Sequence, residues 1–339
     1  MTQRETNPYP YSDSNKRYMT YDWYMKTRFG GKIAKLPLEI GCTCPNLDGT
    51  RGFGGCIYCK NGSASVSGGS VADQLEKGRR IAARKWTPIG YIPYFQANSN
   101  TYGKPEFLRA RYREAASAPG VVMVDIATRA DCLGDEILPI LEELADVQPV
   151  MIELGLQTAR DDTASRINRG HTFAEFTDGY ARLRDLAERV NARYPAESVR
   201  GLPMKRFLIG VHLINGLPGE SADDMRDSAR AVAVLRPDMV KLHLLHVLRG
   251  TPLADWYERD ELIPMTRDEY VAVVADQIEL LPPQTIIGRV TGDGVADDLL
   301  APLWSRRKTE VSNEIDKELY RRAGYEGKDA ENAEGYAAF

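Results

Sequence analysis

The chain has 339 residues, 43% of them hydrophobic and 27% charged, with a formal net charge of −4. This is an ordinary globular composition, sufficient for one large domain or a barrel with an appendage, and the slight acidity does not suggest bulk polyanion binding. No apolar run approaches the length that spans a bilayer, and residues 1–15 are polar and tyrosine-rich without the apolar centre of a secretion signal, so a cytoplasmic protein is expected.

In chain order, the first strand candidate is 36–40, and it is followed at once by Cys44-Pro-Asn-Leu-Asp-Gly-Thr-Arg-Gly-Phe-Gly-Gly-Cys56-Ile-Tyr-Cys59. Five cysteines in all, an odd number mostly gathered in this loop, fit a reducing compartment and ligation better than a disulfide framework. Three thiolates are one short of a closed zinc site or a fully protein-ligated iron–sulfur cluster; a cluster with three leaves one iron open to a small molecule. Cys56 and Cys59 form a CxxC able to reach adjacent corners of one cluster, and the glycines between Gly49 and Gly55 let backbone approach a compact inorganic core. A zinc ribbon would need a second cysteine pair downstream, where only Cys132 remains. Cys42-Thr43-Cys44 offers two candidates for one ligand, and a fourth thiolate from Cys42 would close the cluster.

Further strand candidates follow at 90–96, 121–127, 150–155, 207–214, 239–245 and, more weakly, 285–290. Amphipathic helical segments lie between them. Ile137, Leu141 and Leu144 share one helical face, and Ser221-x-x-Asp224 reads as a capping box ahead of Met225, Ala229 and Val232. Near-continuous apolar strands alternating with helices predict an α/β fold with a parallel sheet, either doubly wound or a barrel. Polar residues gather where the strands finish: Gln96 and Asn98, Thr128 and Arg129, Gln157, Asn215 and Glu220, then His243 and His246. Ligands of parallel α/β folds bind at that edge, and the cysteine loop leaves the first strand there too.

The loop and its companion motifs resemble the radical S-adenosylmethionine (SAM) superfamily, in its Elongator-like branch. The usual spacing of that superfamily is Cys-x3-Cys-x2-Cys, whereas eleven residues separate Cys44 from Cys56 here. Thr128-Arg129-Ala130-Asp131, Glu153-Leu154-Gly155-Leu156-Gln157-Thr158, Arg169-Gly170-His171 and the run from His212 to Gly219 are similar to the branch's Thr-Arg-Pro-Asp, Glu-Leu-Gly-Val-Gln-Ser, Arg-Gly-His and Pro-Gly segments. Cys-Pro-Asn-x-Asp-Gly-Thr-x-Gly-x-Gly-Gly-Cys-x-x-Cys, Tyr94-Phe-Gln-Ala97, Thr128-Arg-x-Asp-Cys132 and Ala301-Pro-Leu-Trp304 resemble a smaller bacterial group of that branch over residues 35–304.

The resemblance implies a partial (β/α)6 TIM-like barrel of the radical SAM type with a C-terminal extension. Its parts would be an N-terminal extension at 1–34, the core at 35–255 and a segment at 256–339 closing the barrel. It implies a [4Fe-4S] cluster on Cys44, Cys56 and Cys59, with Cys42 at an apolar position, and SAM on the open iron. Reductive cleavage of SAM would yield a deoxyadenosyl radical that takes hydrogen from substrate, the electron coming from a low-potential donor such as flavodoxin or ferredoxin. Gln96, Thr128, Gln157, Arg169 and His212 match SAM-side positions of relatives. Ala127 departs from the glutamate that related motifs carry before Thr-Arg, and Glu153 is the substitute the sequence offers.

Cys132 at the mouth is a candidate hydrogen donor, set against the reading of a small buried thiol. Lys241 and His243 fall on one face by strand alternation, and a lysine in an apolar run must be paired or meet a substrate anion; Arg289 is of the same kind. The branch modifies the wobble uridine of tRNA, so tRNA is the expected partner. Its backbone would meet basic segments at 79–85, at 109–113 and at Arg306, Arg307 and Lys308. The alternatives are radical chemistry on a small metabolite or peptide, or a metal-bearing RNA-binding module.

Overall fold

The computed structural model describes residues 7–60, 69–292 and 297–331. Part of the polar 1–15 segment and of the 256–339 extension therefore lies outside the described residues. All seven strand candidates are present, as β1 (Ile33–Leu38), β2 (Gly90–Phe95), β3 (Val124–Thr128), β4 (Val150–Gln157), β5 (Phe207–Asn215), β6 (Met239–Leu244) and β7 (Ile286–Arg289). They form one sheet in that order, and β1–β2, β2–β3, β3–β4 and β6–β7 each pair in parallel. Sequential order with helical crossovers is what near-continuous apolar strands predict.

The chain divides into two compact units. One comprises Met25–Leu156 and Ala164–His212 and holds β1 to β3, β4 as far as Leu156 and β5 as far as His212. Its registers set Tyr94 beside Asp125, and Ala127 beside Glu153. Helices Val71–Ala83, Pro105–Ala116, Leu138–Val147 and Phe173–Arg193 follow β1, β2, β3 and β4, and each turns its apolar stripe inward. In Leu138–Val147 the expected face of Leu141 and Leu144 is buried, with Ile137 just ahead of it.

Several half-buried strand residues share the face that carries Asp125 and Glu153: Lys35 and Pro37 on β1, Ala127 on β3, Gly155 on β4, and His212 on β5. On the opposite face, which the helices cover, Tyr91 of β2 is likewise half-buried. β1 is an edge strand, which accommodates Pro37 without costing the sheet a ladder bond.

The other unit comprises Met1–Tyr24, Gln157–Thr163 and Leu213–Phe339. Within it, helices Ala222–Leu235, Arg267–Leu280 and Lys308–Arg321 pack one after another, and Val247–Leu248 pairs antiparallel with Leu299–Ala301. The segment around Met19 docks on β7, where the Ile287 amide donates to the Met19 carbonyl at 2.8 Å. Met19 in turn donates its own amide to the fully buried Glu326 carboxyl at 2.7 Å.

Among the described residues, capping boxes open four helices. Ser221 with Asp224 forms as expected, and Ser70 with Asp73, Thr172 with Glu175 and Thr266 with Glu269 repeat the device. Each satisfies amides that the first helical turn cannot, a contribution of about 1 kcal/mol.

Candidate functional site

The long Cys44–Cys56 spacing is resolved by a folded insert. Leu47 donates to the Cys44 carbonyl at 2.8 Å, Arg51 to Pro45 at 2.8 Å and Gly55 to Asn46 at 2.8 Å, while Asp48 and Phe53 make an antiparallel bridge. Gly49, Gly54 and Gly55 take positive φ, which permits the reversals. The insert therefore returns Cys56 to Cys44, and the amide of Cys59 closes on the Cys56 carbonyl at 2.9 Å.

Cys44, Cys56 and Cys59 are near enough to feel one another's charge. Burial pushes the Cys56 thiol up. Cys59 lies at the exposed rim, yet protein crowds its sulfur; its thiol is pushed up to about 12, first by lost solvation and then by Cys56 and Cys44. Among the described residues, no three His, Cys, Asp or Glu side chains converge tightly enough to hold one metal ion.

The surroundings fit a cluster held by these sulfurs. Arg129 Nη1 lies 3.9 Å from Cys44 Sγ, and Asn46 Nδ2 lies 4.0 Å from Cys56 Sγ, so two of the three sulfurs face N–H donors. Asn46 is 1% exposed, donates to the Asn168 carbonyl, and leaves its buried Oδ1 without a hydrogen bond. A Cβ on Gly52 or Gly170 would come within 2.5 or 2.6 Å of that oxygen, so the glycines are needed for the loop to close around Asn46. Asn168 holds the loop from the other side, donating to the carbonyls of Gly55 at 2.7 Å and Phe53 at 3.1 Å.

Of the other expected site residues, several share this unit. Cys42 is buried, close to Tyr112, and burial holds its thiol near 11. Cys132 is 7% exposed and electrostatically coupled to Cys44; burial, then Asp131, pushes it up to about 12. Thr128 shares its hydroxyl with Thr101 at 2.6 Å, and Thr101 reaches the Cys132 carbonyl, so Thr128 braces the loop. Gln96 is exposed just past β2.

Arg169 is 2% exposed and donates to the His171 carbonyl at 2.8 and 3.0 Å and to the Leu156 carbonyl at 2.5 Å. Those bonds frame the ends of β4 and of the Arg-Gly-His turn while keeping a positive charge beside Cys56. His171 stays neutral, lowered to about 3 by burial and then by Arg169 and Arg129.

His212 is joined to a cluster the sequence reading did not assemble. Its Nε2 is 2.8 Å from Glu153 Oε2, which also accepts from the Tyr94 hydroxyl at 2.8 Å. Lys35 Nζ reaches Glu153 Oε1 at 2.9 Å, pairs with Asp125 and lies 4.2 Å over the Tyr94 ring. Glu153 is fully buried on the same side of the sheet as Lys35 and His212. The signal was present as lone ionisable residues of opposite sign within apolar strands, which must find one another on folding.

In the other unit, Gln157 ends β4 at φ 70°, a left-handed backbone unusual for glutamine, with its Oε1 buried. Lys241 is 6% exposed and sits beside Arg289 in the β6–β7 register, and His243 is half-buried two residues on. Gly288 allows the approach, since a Cβ there would lie 2.9 Å from Lys241 Cγ. Glu220 accepts from the Thr158 hydroxyl, and burial pushes its carboxyl up to about 7.

Between the ordinary glutamate range and pH 7 the folded chain therefore keeps a proton that the unfolded chain releases, so stability falls as pH rises through that window. A loss of about 2 kcal/mol between pH 5 and 8 is expected from Glu220. Urea unfolding at the two pH values should show it, and Glu220→Gln should flatten the difference.

Comparison with known proteins settles the class. The Radical SAM superfamily description matches residues 49–232, and the Radical_SAM C-terminal domain matches 237–321. This chain belongs to the radical SAM superfamily. It is 40% identical over 328 residues to the uncharacterized protein YtqA of Bacillus subtilis, covering 96% of each chain. It is 27% identical over 173 residues to a tRNA uridine(34) acetyltransferase of Dehalococcoides mccartyi, covering 50% of this chain and 32% of that one. Among solved structures, the archaeal Methanocaldococcus infernus Elp3 superposes with a TM-score of 0.63 at 17% identity, covering 86% of this chain and 63% of the other. That likeness is one of fold, and the α/β partial-barrel architecture expected from the sequence stands. The radical SAM family implies a [4Fe-4S] cluster and SAM, and no helix among the described residues is long and apolar enough to cross a membrane.

Proposed function

We propose that this radical SAM enzyme acts on tRNA, modifying the side chain of a wobble uridine. The observation that carries the reading is the similarity, over half of the chain, to an enzyme named for uridine 34 of tRNA. The three-thiol loop with its N–H donors and the motif set around it support the radical half of the chemistry. A bound [4Fe-4S] cluster with SAM would supply the hydrogen-abstracting radical, and the cofactor carries that chemistry. Cys44, Cys56 and Cys59 would hold the cluster, and Asn46 and Asn168 would keep the loop closed around it. The Lys35–Glu153–His212 cluster would give the open face of the sheet a fixed polar floor against which a substrate can be oriented.

The basic segments differ in what they offer an RNA backbone. Arg109 and Arg113 share Glu143 at 2.9 and 3.0 Å, and Arg111 meets Glu114 at 2.6 Å, so their charge is largely answered within the chain. Arg307 is 73% exposed and only 3.5 Å from Glu310, beside Arg306 and Lys308. With the longer ion pair and the greater exposure, Arg307 is the better contact for phosphate.

Binding of unmodified tRNA should weaken steeply with salt, because each phosphate contact releases condensed counterions. Glutamate at Arg306, Arg307 and Lys308 together should lower affinity at least tenfold while iron content and uncoupled SAM cleavage persist. Absence of tRNA binding at low salt, with unchanged wobble nucleosides in a deletion strain, would sink the reading. A small-molecule substrate would then take its place.

A further inference from the structure

We propose that Arg129 tunes the reduction potential of the cluster by holding a positively charged N–H against the Cys44 sulfur. The inference rests on the assignment of Cys44 as a cluster ligand. Arg129 is 8% exposed and its guanidinium is fixed on every edge. Nε and Nη2 form a fork on Asp131, at 2.9 Å to Oδ1 and 2.7 Å to Oδ2. Nη1 gives one proton to the Arg169 carbonyl at 2.7 Å, and its remaining proton is directed at Cys44 Sγ, 3.9 Å away. A planar fork held in this way cannot swing off the sulfur, whereas a flexible lysine could.

The charges around this contact do not cancel it. Asp131 answers Arg129, and Arg51, which stands 3.8 Å from Asp131 Oδ2, is itself paired with Glu175 at 2.5 Å. Arg169 adds a second buried cation that acts on Cys56. His171, 3.9 Å from Asp131 Oδ1, is neutral. Among the buried charges beside the loop, the two guanidinium groups of Arg129 and Arg169 outnumber the one carboxylate of Asp131. Adding an electron to an iron–sulfur cluster increases the negative charge on its sulfurs, so a nearby cation and an N–H···S bond both favour the reduced form. Asn46 provides the neutral counterpart on Cys56.

The test is a redox titration of the anaerobically loaded protein without SAM, followed by the electron paramagnetic resonance signal of the reduced cluster. In Arg129→Gln, the ratio of reduced to oxidised cluster at a fixed poise should fall about tenfold, equivalent to 59 mV for one electron. Asp131→Asn keeps an acceptor for the guanidinium while removing the opposing charge, and should move the ratio the other way. Arg109→Gln, on the outer surface, serves as the control and should not move it. A loaded Arg129→Gln protein with the wild-type ratio overturns the proposal. Should that variant not load, an unmoved ratio in Asp131→Asn overturns it equally. A wild-type chain that takes up no iron would instead overturn the cluster reading on which the proposal stands.

Discussion

Alanine in place of Cys44, Cys56 or Cys59 is expected to abolish cluster loading and, with it, reductive cleavage of SAM, whereas Cys42→Ala should retain both. The three positions lie on one folded loop whose insert brings Cys56 back to Cys44. A cluster bound by two of three thiolates has lost a third of its protein ligands and opens a second iron to solvent. Cys42 is buried beside Tyr112, so its loss removes a small apolar group and about 1 kcal/mol of packing, without touching the loop. Iron and sulfide content and formation of 5′-deoxyadenosine under strong reductant are the measurements. Loss of the cluster in Cys42→Ala, with Cys44→Ala still loaded, would reverse the ligand assignment.

The order of the fold was legible because parallel strands must be apolar on both faces, and seven such runs stand out between amphipathic segments. The first strand shows where that signal stops. Its expected start at residue 36 follows Lys35, which breaks the apolar run, but the strand begins at Ile33 and contains Lys35. The lysine is tolerated because Asp125 and Glu153 answer it from β3 and β4, and nothing local to β1 announces partners ninety residues or more away. Glu153 was similarly ambiguous in sequence, since period two fixes which neighbours share a face but not which face is open. Arg129 and Arg169 were recognisable as motif residues. Their partners were not, because a guanidinium bound to a carbonyl and one awaiting a carboxylate have the same sequence.

Lys35→Met should be among the most destabilising single changes outside the apolar core. The substitution preserves the stem that covers the Tyr94 ring while removing the ammonium that pairs with both Asp125 and Glu153. Both carboxyl groups are fully buried, so their desolvation cost remains when the attraction that offset it is gone. Breaking a buried pair costs about 3–5 kcal/mol, and because a fifth of the Lys35 side chain stays in water the lower end, about 3 kcal/mol, is expected. Adding Glu153→Gln should recover part of that loss, since it deletes one of the two stranded charges yet leaves an amide oxygen for Tyr94 and His212. The pair should therefore be strongly non-additive in denaturant midpoints, with a coupling of about 1–3 kcal/mol. Strict additivity, or a Lys35→Met loss below about 1 kcal/mol, would mean that water reaches both carboxylates and that the floor of the open face is wet; the latter outcome would also remove the argument that this cluster holds His212 rigidly toward a substrate.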